Sequence, residues 1–71
     1  MSRIVDAEII ESNGWRVQWH FDDGTYSNTT CGIDGGYYIT DITDDYVQVE
    51  GESCGHRVKR IYKDGRYDNL Q

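Results

Sequence analysis

The chain has 71 residues, no proline, and 13 acidic residues against seven Lys and Arg, for a formal net charge of −6. This length predicts one small domain over 1–71, and the acidic balance argues against direct binding to duplex nucleic acid, since neutralising phosphates takes a basic footprint. No apolar run is long enough to span a membrane and the first residues do not resemble a signal peptide, so we expect a cytoplasmic protein without a membrane partner.

The first two strands are predicted over 4–11 and 15–21. In the second, Trp15, Val17, Trp19 and Phe21 alternate with polar residues, which is typical of a strand with one buried face. A three-residue turn over 12–14, with a bulge at Gly14, keeps apolar residues opposite each other. It pairs Ile9 with Val17, Ala7 with Trp19 and Val5 with Phe21.

The next strands are shorter and separated by polar turns. Asp23-Gly24 predicts a two-residue turn that sends the chain back through Tyr26 and Asn28. The remaining elements are expected as strands over 25–31, 37–42 and 46–50, a loop over 32–36 and a turn over 43–45.

Residues 11–28 and 52–69 match at nine of eighteen aligned positions, 41 residues apart. Either the chain contains two related hairpin units, or both segments reuse turn residues because hairpins demand them. In the second segment, a two-residue Cys54-Gly55 turn would pair Glu52 with Arg57 and Glu50 with Lys59, and place Val49 and Val47 near Val58 and Tyr62.

Five or six short strands with tight turns predict an all-β, small, strongly bent antiparallel barrel. The run from Val5 through Trp15, Val17 and Trp19 to Tyr26 resembles the first hairpin of SH3-like and Tudor-like barrels. This resemblance implies a domain that binds peptides, modified basic side chains or proteins, and it carries over no particular ligand residue.

Acidic side chains concentrate in the first part of the chain: residues 1–52 carry a balance of −9, and residues 53–71 carry +3. The alternative to a docking face is ordinary turn chemistry, in which Asp is favoured, above all at Asp23 and Asp44. We predict a face for a protein partner with a basic surface. Its expected residues are Trp15, Asp22, Asp23, Tyr37, Tyr38, Asp41, Asp44 and Asp45.

Aromatic residues offer a second site, a cage for a cationic group built from Trp15, Trp19, Tyr26, Tyr37 and Tyr38. The alternative is that Trp19 and Tyr26 belong to the core.

Zinc binding and catalysis have weaker support. Cys31, Cys54, His20 and His56 lack the ligand spacing of zinc sites, and nothing in the sequence joins a nucleophile to a base. We therefore expect no metal, no cofactor and no enzymatic activity.

The sequence favours a non-enzymatic binding protein, with inhibition of a nucleic-acid-binding protein, of the kind phages use against host defences, as one form of that function. The alternative is a receptor for a small cationic or nucleotide-like ligand. A homodimer is a further expectation, because a domain this small gains stability from association.

Overall fold

A computed structural model describes residues 2–29, 32–52 and 55–70. These residues form seven strands: β1 (Ile4–Glu11), β2 (Trp15–Phe21), β3 (Tyr26–Thr29), β4 (Tyr37–Ile42), β5 (Tyr46–Gly51), β6 (Arg57–Tyr62) and β7 (Tyr67–Asn69). None of the described segments forms a helix with the length and apolar character needed to cross a membrane. The all-β prediction is confirmed, with more strands than expected.

The strands make two antiparallel sheets, ordered β1-β2-β3 and β4-β5-β6-β7. Edge strand β1 packs beside edge strand β4, but the two belong to separate sheets. The sheets therefore do not close into a continuous barrel within the described residues.

Both of these neighbouring edges carry a β-bulge. The pairing of β1 with β2 skips Val5, and the pairing of β4 with β5 skips Thr40. The residue after each bulge is an aspartate whose carboxylate accepts the next backbone N–H: Asp6 from Ala7 and Asp41 from Ile42, each at 2.9 Å. Because a bulge leaves a residue unpaired and bends its strand, two bulged edges are poorly matched for a ladder.

The core lies between the two sheets. Its fully buried members are Val17, Trp19, Val47, Val49 and Ile61, with Ile4, Ala7 and Ile33 around them. The indole N–H of Trp19 donates to the hydroxyl of Thr29 at 2.9 Å, so its one polar group is satisfied. The alternation in β2 thus predicted the centre of the core correctly.

The register of the first hairpin is largely as predicted. Ile9 lies opposite Val17 and Ala7 opposite Trp19, with a three-residue turn in which Asn13 and Gly14 both have positive φ. The third predicted pair is wrong, because the bulge shifts β1 by one residue and places Ile4, not Val5, opposite Phe21. Val5 is 60% exposed as a result.

The β2–β3 turn has three residues, not the predicted two. Gly24 has a φ of +86°, and its N–H donates to the carbonyl of Phe21, as in a turn followed by a glycine bulge. The extra residue places Tyr26 opposite His20 on the outer side of the sheet. Tyr26 is 64% exposed, so the alternative that placed it in the core is wrong.

The predicted register of the β5–β6 hairpin is also wrong. The structure pairs Gly51 with Arg57, Glu50 with Val58 and Val49 with Lys59. Cys54 lies outside the described residues, as does Cys31 at the predicted end of the third strand. Because Gly51 and Arg57 pair at the ends of β5 and β6, the register differs by one residue from the predicted one, and such a difference changes every pair.

The two similar segments share their strand pairing. The pairs Ile9–Val17 and Gln18–Asn28 recur 41 residues later as Glu50–Val58 and Lys59–Asn69. Their buried faces are opposite, however. Val47 and Val49 are buried at the positions equivalent to Asp6 and Glu8, which are exposed.

Candidate functional site

Two of the predicted acidic site residues hold the start of the chain. The backbone N–H of Arg3 donates to Oδ1 of Asp22 at 3.1 Å, and Nη2 of Arg3 lies 3.3 Å from Oδ2 of Asp44. All three residues are exposed, so the Arg3–Asp44 ion pair contributes little to stability. These carboxylates are engaged within the chain itself.

Asp23 organises the β2–β3 turn. Its carboxylate accepts hydrogen bonds from the hydroxyl and the backbone N–H of Thr25 and from the hydroxyl of Ser2. These donors, the Thr25 hydroxyl first, lower the pKa of the Asp23 carboxyl to about 2. Asp23 therefore has the turn role that was the alternative to docking.

Trp15 and Tyr37 lie against glycines. A Cβ atom on Gly35 would lie 2.7 Å from Cζ2 of Trp15, and one on Gly51 would lie 2.7 Å from Cδ1 of Tyr37. Their rings therefore need the absence of a side chain at both positions. The backbone carbonyl of Asp45, another predicted site residue, accepts the N–H of Lys63 at the β6–β7 turn.

The aromatic cage is not assembled from the predicted residues. Trp19 is buried, Tyr26 lies beside His20, and Tyr37 and Tyr38 point to opposite sides of β4. The ammonium of Lys59 lies 5.5 Å from the ring of Tyr37 and 5.3 Å from that of Tyr67, and it donates to the carbonyl of Gly32. The chain's own lysine thus occupies the space between these rings.

The histidines are engaged with carboxylates. His20 lies 3.2 Å from Glu8, and His56 lies 3.2 Å from Glu50 and 3.5 Å from Glu52. Among the described residues, no group of three or more His, Cys, Asp and Glu side chains is arranged to hold a metal ion.

A broader surface emerges on the outward side of the four-stranded sheet. We call it the outer face. It alternates with the buried positions of β5 and β6, and the strand pairing brings its members side by side. It consists of Tyr38, Asp41, Tyr46, Gln48, Glu50, Val58, Arg60, Tyr62 and Asp68. Of the eight predicted site residues, Tyr38 and Asp41 belong to it.

The centre of the outer face is a stack of rings and guanidinium groups. Tyr46 and Tyr62 meet edge to face with ring centroids 5.6 Å apart. Arg60 lies 4.9 Å from the centroid of Tyr46, and Arg66 lies 5.1 Å from that of Tyr62. Each contact restrains a side chain that would otherwise be free, so the rings are held in position at the surface.

Carboxylates border this stack. The hydroxyl of Tyr62 donates to Oδ2 of Asp68 at 2.9 Å, and this hydrogen bond raises the pKa of the Tyr62 phenol. Asp64 accepts from the backbone and the guanidinium of Arg66, which lower its pKa, the backbone N–H contributing most. Open depressions of about 570 and 270 Å³ flank Tyr62 and Arg66.

Sequence reasoning missed Tyr46, Tyr62 and Arg60. The signal was present in β5, where Tyr46, Gln48 and Glu50 alternate with Val47 and Val49 and so must face outward. The partner strand could not be aligned with β5 because its predicted register was wrong by one residue.

Comparisons of the chain with protein-family models, with curated proteins and with solved structures found no match.

Proposed function

We propose that this chain is a non-enzymatic binding protein that docks a protein partner with a basic surface on its outer face. One observation carries the proposal. Three tyrosines and three carboxylates share the side of the four-stranded sheet that faces away from the core, and each of these side chains is half-buried or exposed.

The composition of this face suits a protein interface. Tyr and Arg are enriched among the residues that dominate binding energy, because they bury a large area and also form hydrogen bonds. The mutual stacking of Tyr46, Tyr62 and Arg60 fixes their side chains before binding. Less conformational entropy is then lost when a partner docks.

The negative charge of the outer face and of the whole chain favours a partner with a basic surface. Asp41, Glu50 and Asp68 outnumber the two guanidinium groups of the outer face, Arg60 and the Arg66 that stacks on Tyr62, and the whole chain carries −6. An excess of one sign accelerates encounter with the opposite sign and disfavours partners of like charge. A nucleic-acid-binding protein presents such a basic surface, and occupying it would inhibit that protein.

The SH3-like or Tudor-like assignment belongs to the same proposal. Placing the two sheets side by side through β1 and β4 gives the strand order β3-β2-β1-β4-β5-β6-β7, a single bent sheet if these two edges paired, and a barrel would also need β3 to meet β7. The bulges at Val5 and Thr40 lie on these two edge strands and distinguish the observed pair of sheets from a continuous one.

The chain provides a matched pair of charge variants to test the docking face. Asp41→Asn with Glu50→Gln removes two charges from the outer face, and Asp6→Asn with Glu8→Gln removes two from the other sheet. Each pair contains an aspartate that accepts the N–H after a bulge and a glutamate beside a histidine. The amides retain the acceptor oxygens, so both variants should fold with the same net charge.

The measurement is binding to proteins captured from the native host by the wild-type chain, repeated with each variant by titration. We expect the outer-face variant to bind at least about tenfold more weakly, or about 1.4 kcal/mol, and the control variant to retain affinity. Equal losses in both variants would mean that only net charge matters. Undiminished binding by the outer-face variant would remove the face from the interaction.

The second candidate is a receptor for a small cationic or nucleotide-like ligand. The depression lined by Tyr62, Gly65, Arg66, Tyr67 and Asp68 favours it, because rings, a guanidinium and a carboxylate converge there. A bound ligand raises the melting temperature. Adenosine monophosphate and tetramethylammonium are suitable probes, and a rise that Tyr62→Ala abolishes would support this function over protein docking.

A further inference from the structure

We propose that β3 is a self-pairing edge, through which two copies of this chain form an antiparallel dimer centred on Ser27. This inference does not depend on the proposed function, because β3 lies in the other sheet from the outer face.

The backbone of β3 offers two residues for pairing. The N–H of Phe21 donates to the carbonyl of Thr25, so odd-numbered residues of β2 face β3. In an antiparallel ladder this orientation alternates, and Ser27 and Thr29 therefore bond to β2 while Tyr26 and Asn28 direct their N–H and C=O outward. In the described part of the chain, β3 is paired on its β2 side alone.

The outward N–H and C=O groups of β3 are complementary to the same groups of a second copy of the chain. About a twofold axis through Ser27, Tyr26 of one copy lies opposite Asn28 of the other, and the reverse pair is identical. Both are hydrogen-bonded pairs, so the two strands exchange four backbone hydrogen bonds. The two Ser27 side chains then face each other across the axis, where side chains approach most closely.

Charge selects this edge for contact between two copies of an acidic chain. Residues 24–33 are the longest stretch without any charged residue or histidine. The strand contains no proline, lysine or bulge, the devices by which exposed edges usually prevent pairing. Two molecules of charge −6 can therefore meet here without opposing like charges.

The other open edge provides a natural comparison. β7 repeats the pattern as Tyr67-Asp68-Asn69, and the N–H of Leu70 donates to the carbonyl of Val58, so Tyr67 and Asn69 face outward. The same symmetric pairing of β7 would place Asp68 against Asp68 of the second copy. Like charges directly opposite each other destabilise a strand pair, so β7 does not self-pair.

The experiment is sedimentation equilibrium of the full chain over a concentration series. The wild type should shift from 8.2 kDa to twice that mass as the concentration rises. Ser27→Asp, which copies the β7 pattern, should remain monomeric at concentrations where the wild type is dimeric. Asn69→Asp adds the same charge to β7 and should dimerise like the wild type.

Two further variants separate direct contact from misfolding. Ser27→Lys alone should be monomeric, and its mixture with Ser27→Asp should form a one-to-one heterodimer, because the two charges then attract across the axis. Asn28→Pro removes an outward N–H without touching the ladder with β2 and should also abolish the dimer. Far-UV circular dichroism checks that each variant retains its strands.

A wild-type chain that stays at 8.2 kDa up to about 1 mM, where association is worth about 4 kcal/mol, would overturn the proposal. A Ser27→Asp variant that dimerises as well as Asn69→Asp would overturn it too.

Discussion

The indole of Trp15 lies directly on the backbone of Gly35, so close that a Cβ atom at position 35 would be 2.7 Å from Cζ2. Trp15 begins β2 in the three-stranded sheet, whereas Gly35 belongs to the segment that leads into β4. This contact therefore fastens the connection between the two sheets to the first hairpin. Because the indole ring packs on Gly35, Trp15 cannot offer both faces of the ring to a ligand, although the residue is 37% exposed.

Gly35→Ala should destabilise the fold by about 1–3 kcal/mol, the usual cost of forcing an added methyl into a filled space. The cost should fall below about 0.5 kcal/mol in a Trp15→Ala background, because the ring that causes the clash is then absent. Urea denaturation of the wild type, both single variants and the double variant measures this coupling. Additive effects of the two substitutions would contradict the contact.

A second prediction concerns the stability effects of truncating the residues at the bulge in β1. Ile4 is 5% exposed and lies opposite Phe21, while Val5 is 60% exposed. Ile4→Ala should therefore cost about 2–5 kcal/mol, as for other buried aliphatic truncations. Val5→Ala should change stability by no more than about 0.5 kcal/mol. The register predicted from the sequence reverses this order, so chemical denaturation of the two variants distinguishes the registers.

Burial in β2 could be predicted from the sequence, whereas the exact register of the strands could not. The alternation in β2 identified Val17 and Trp19 as core residues, because burying apolar side chains is favourable and does not depend on how the other strands are paired. It could not place Val5 or Tyr26. Each depends on one extra residue, in a bulge or a turn, and such a residue reverses the face of everything beyond it.

The repeated segments illustrate the same limit. Their shared residues include Asp23-Gly24 and Asp64-Gly65, and both glycines have positive φ and donate to the residue three positions earlier. Turn chemistry is thus conserved between the two segments, whereas the buried faces are opposite. A duplicated unit would have to exchange its core and surface sides, so the common demands of hairpin turns explain the similarity more simply.

Asp23 makes the stability of the fold depend on acid pH. Its pKa is lowered from 3.8 to about 2 in the folded chain, so its hydrogen bonds contribute fully above the unfolded pKa. That contribution is lost as the pH falls from 3.8 to about 2, because the unfolded chain takes up the Asp23 proton at a higher pH than the folded chain does. Denaturation measured across this range should show declining stability.

The matched variant is Asp23→Asn, whose amide oxygen still accepts hydrogen bonds but does not titrate. Its stability should fall less than that of the wild type over the same pH range. Carboxyl carbon NMR gives the pKa directly, and Thr25→Val with Ser2→Ala should raise it, since both hydroxyl donors are then lost. A wild-type midpoint at the ordinary value would contradict the observed turn geometry.

Tyr62 links the outer face to alkaline pH. Its hydroxyl donates to Asp68, so removing the phenolic proton breaks a hydrogen bond and opposes two negative charges, which raises the pKa of Tyr62. The folded chain holds this proton more tightly than the unfolded chain does. The stabilisation is complete below the unfolded pKa of 10.0 and is lost as the pH rises through the folded pKa.

Asp68→Ala should therefore return the pKa of Tyr62 toward 10.0, as followed by ring-carbon NMR. Asp41→Asn is the control, because it removes a carboxylate from the same face without touching Tyr62. Tyr62→Phe should remove the alkaline loss of stability that this proton causes. If Asp68→Ala leaves the Tyr62 midpoint where it is in the wild type, the ring is not held by that carboxylate and the stack does not have the rigidity that docking requires.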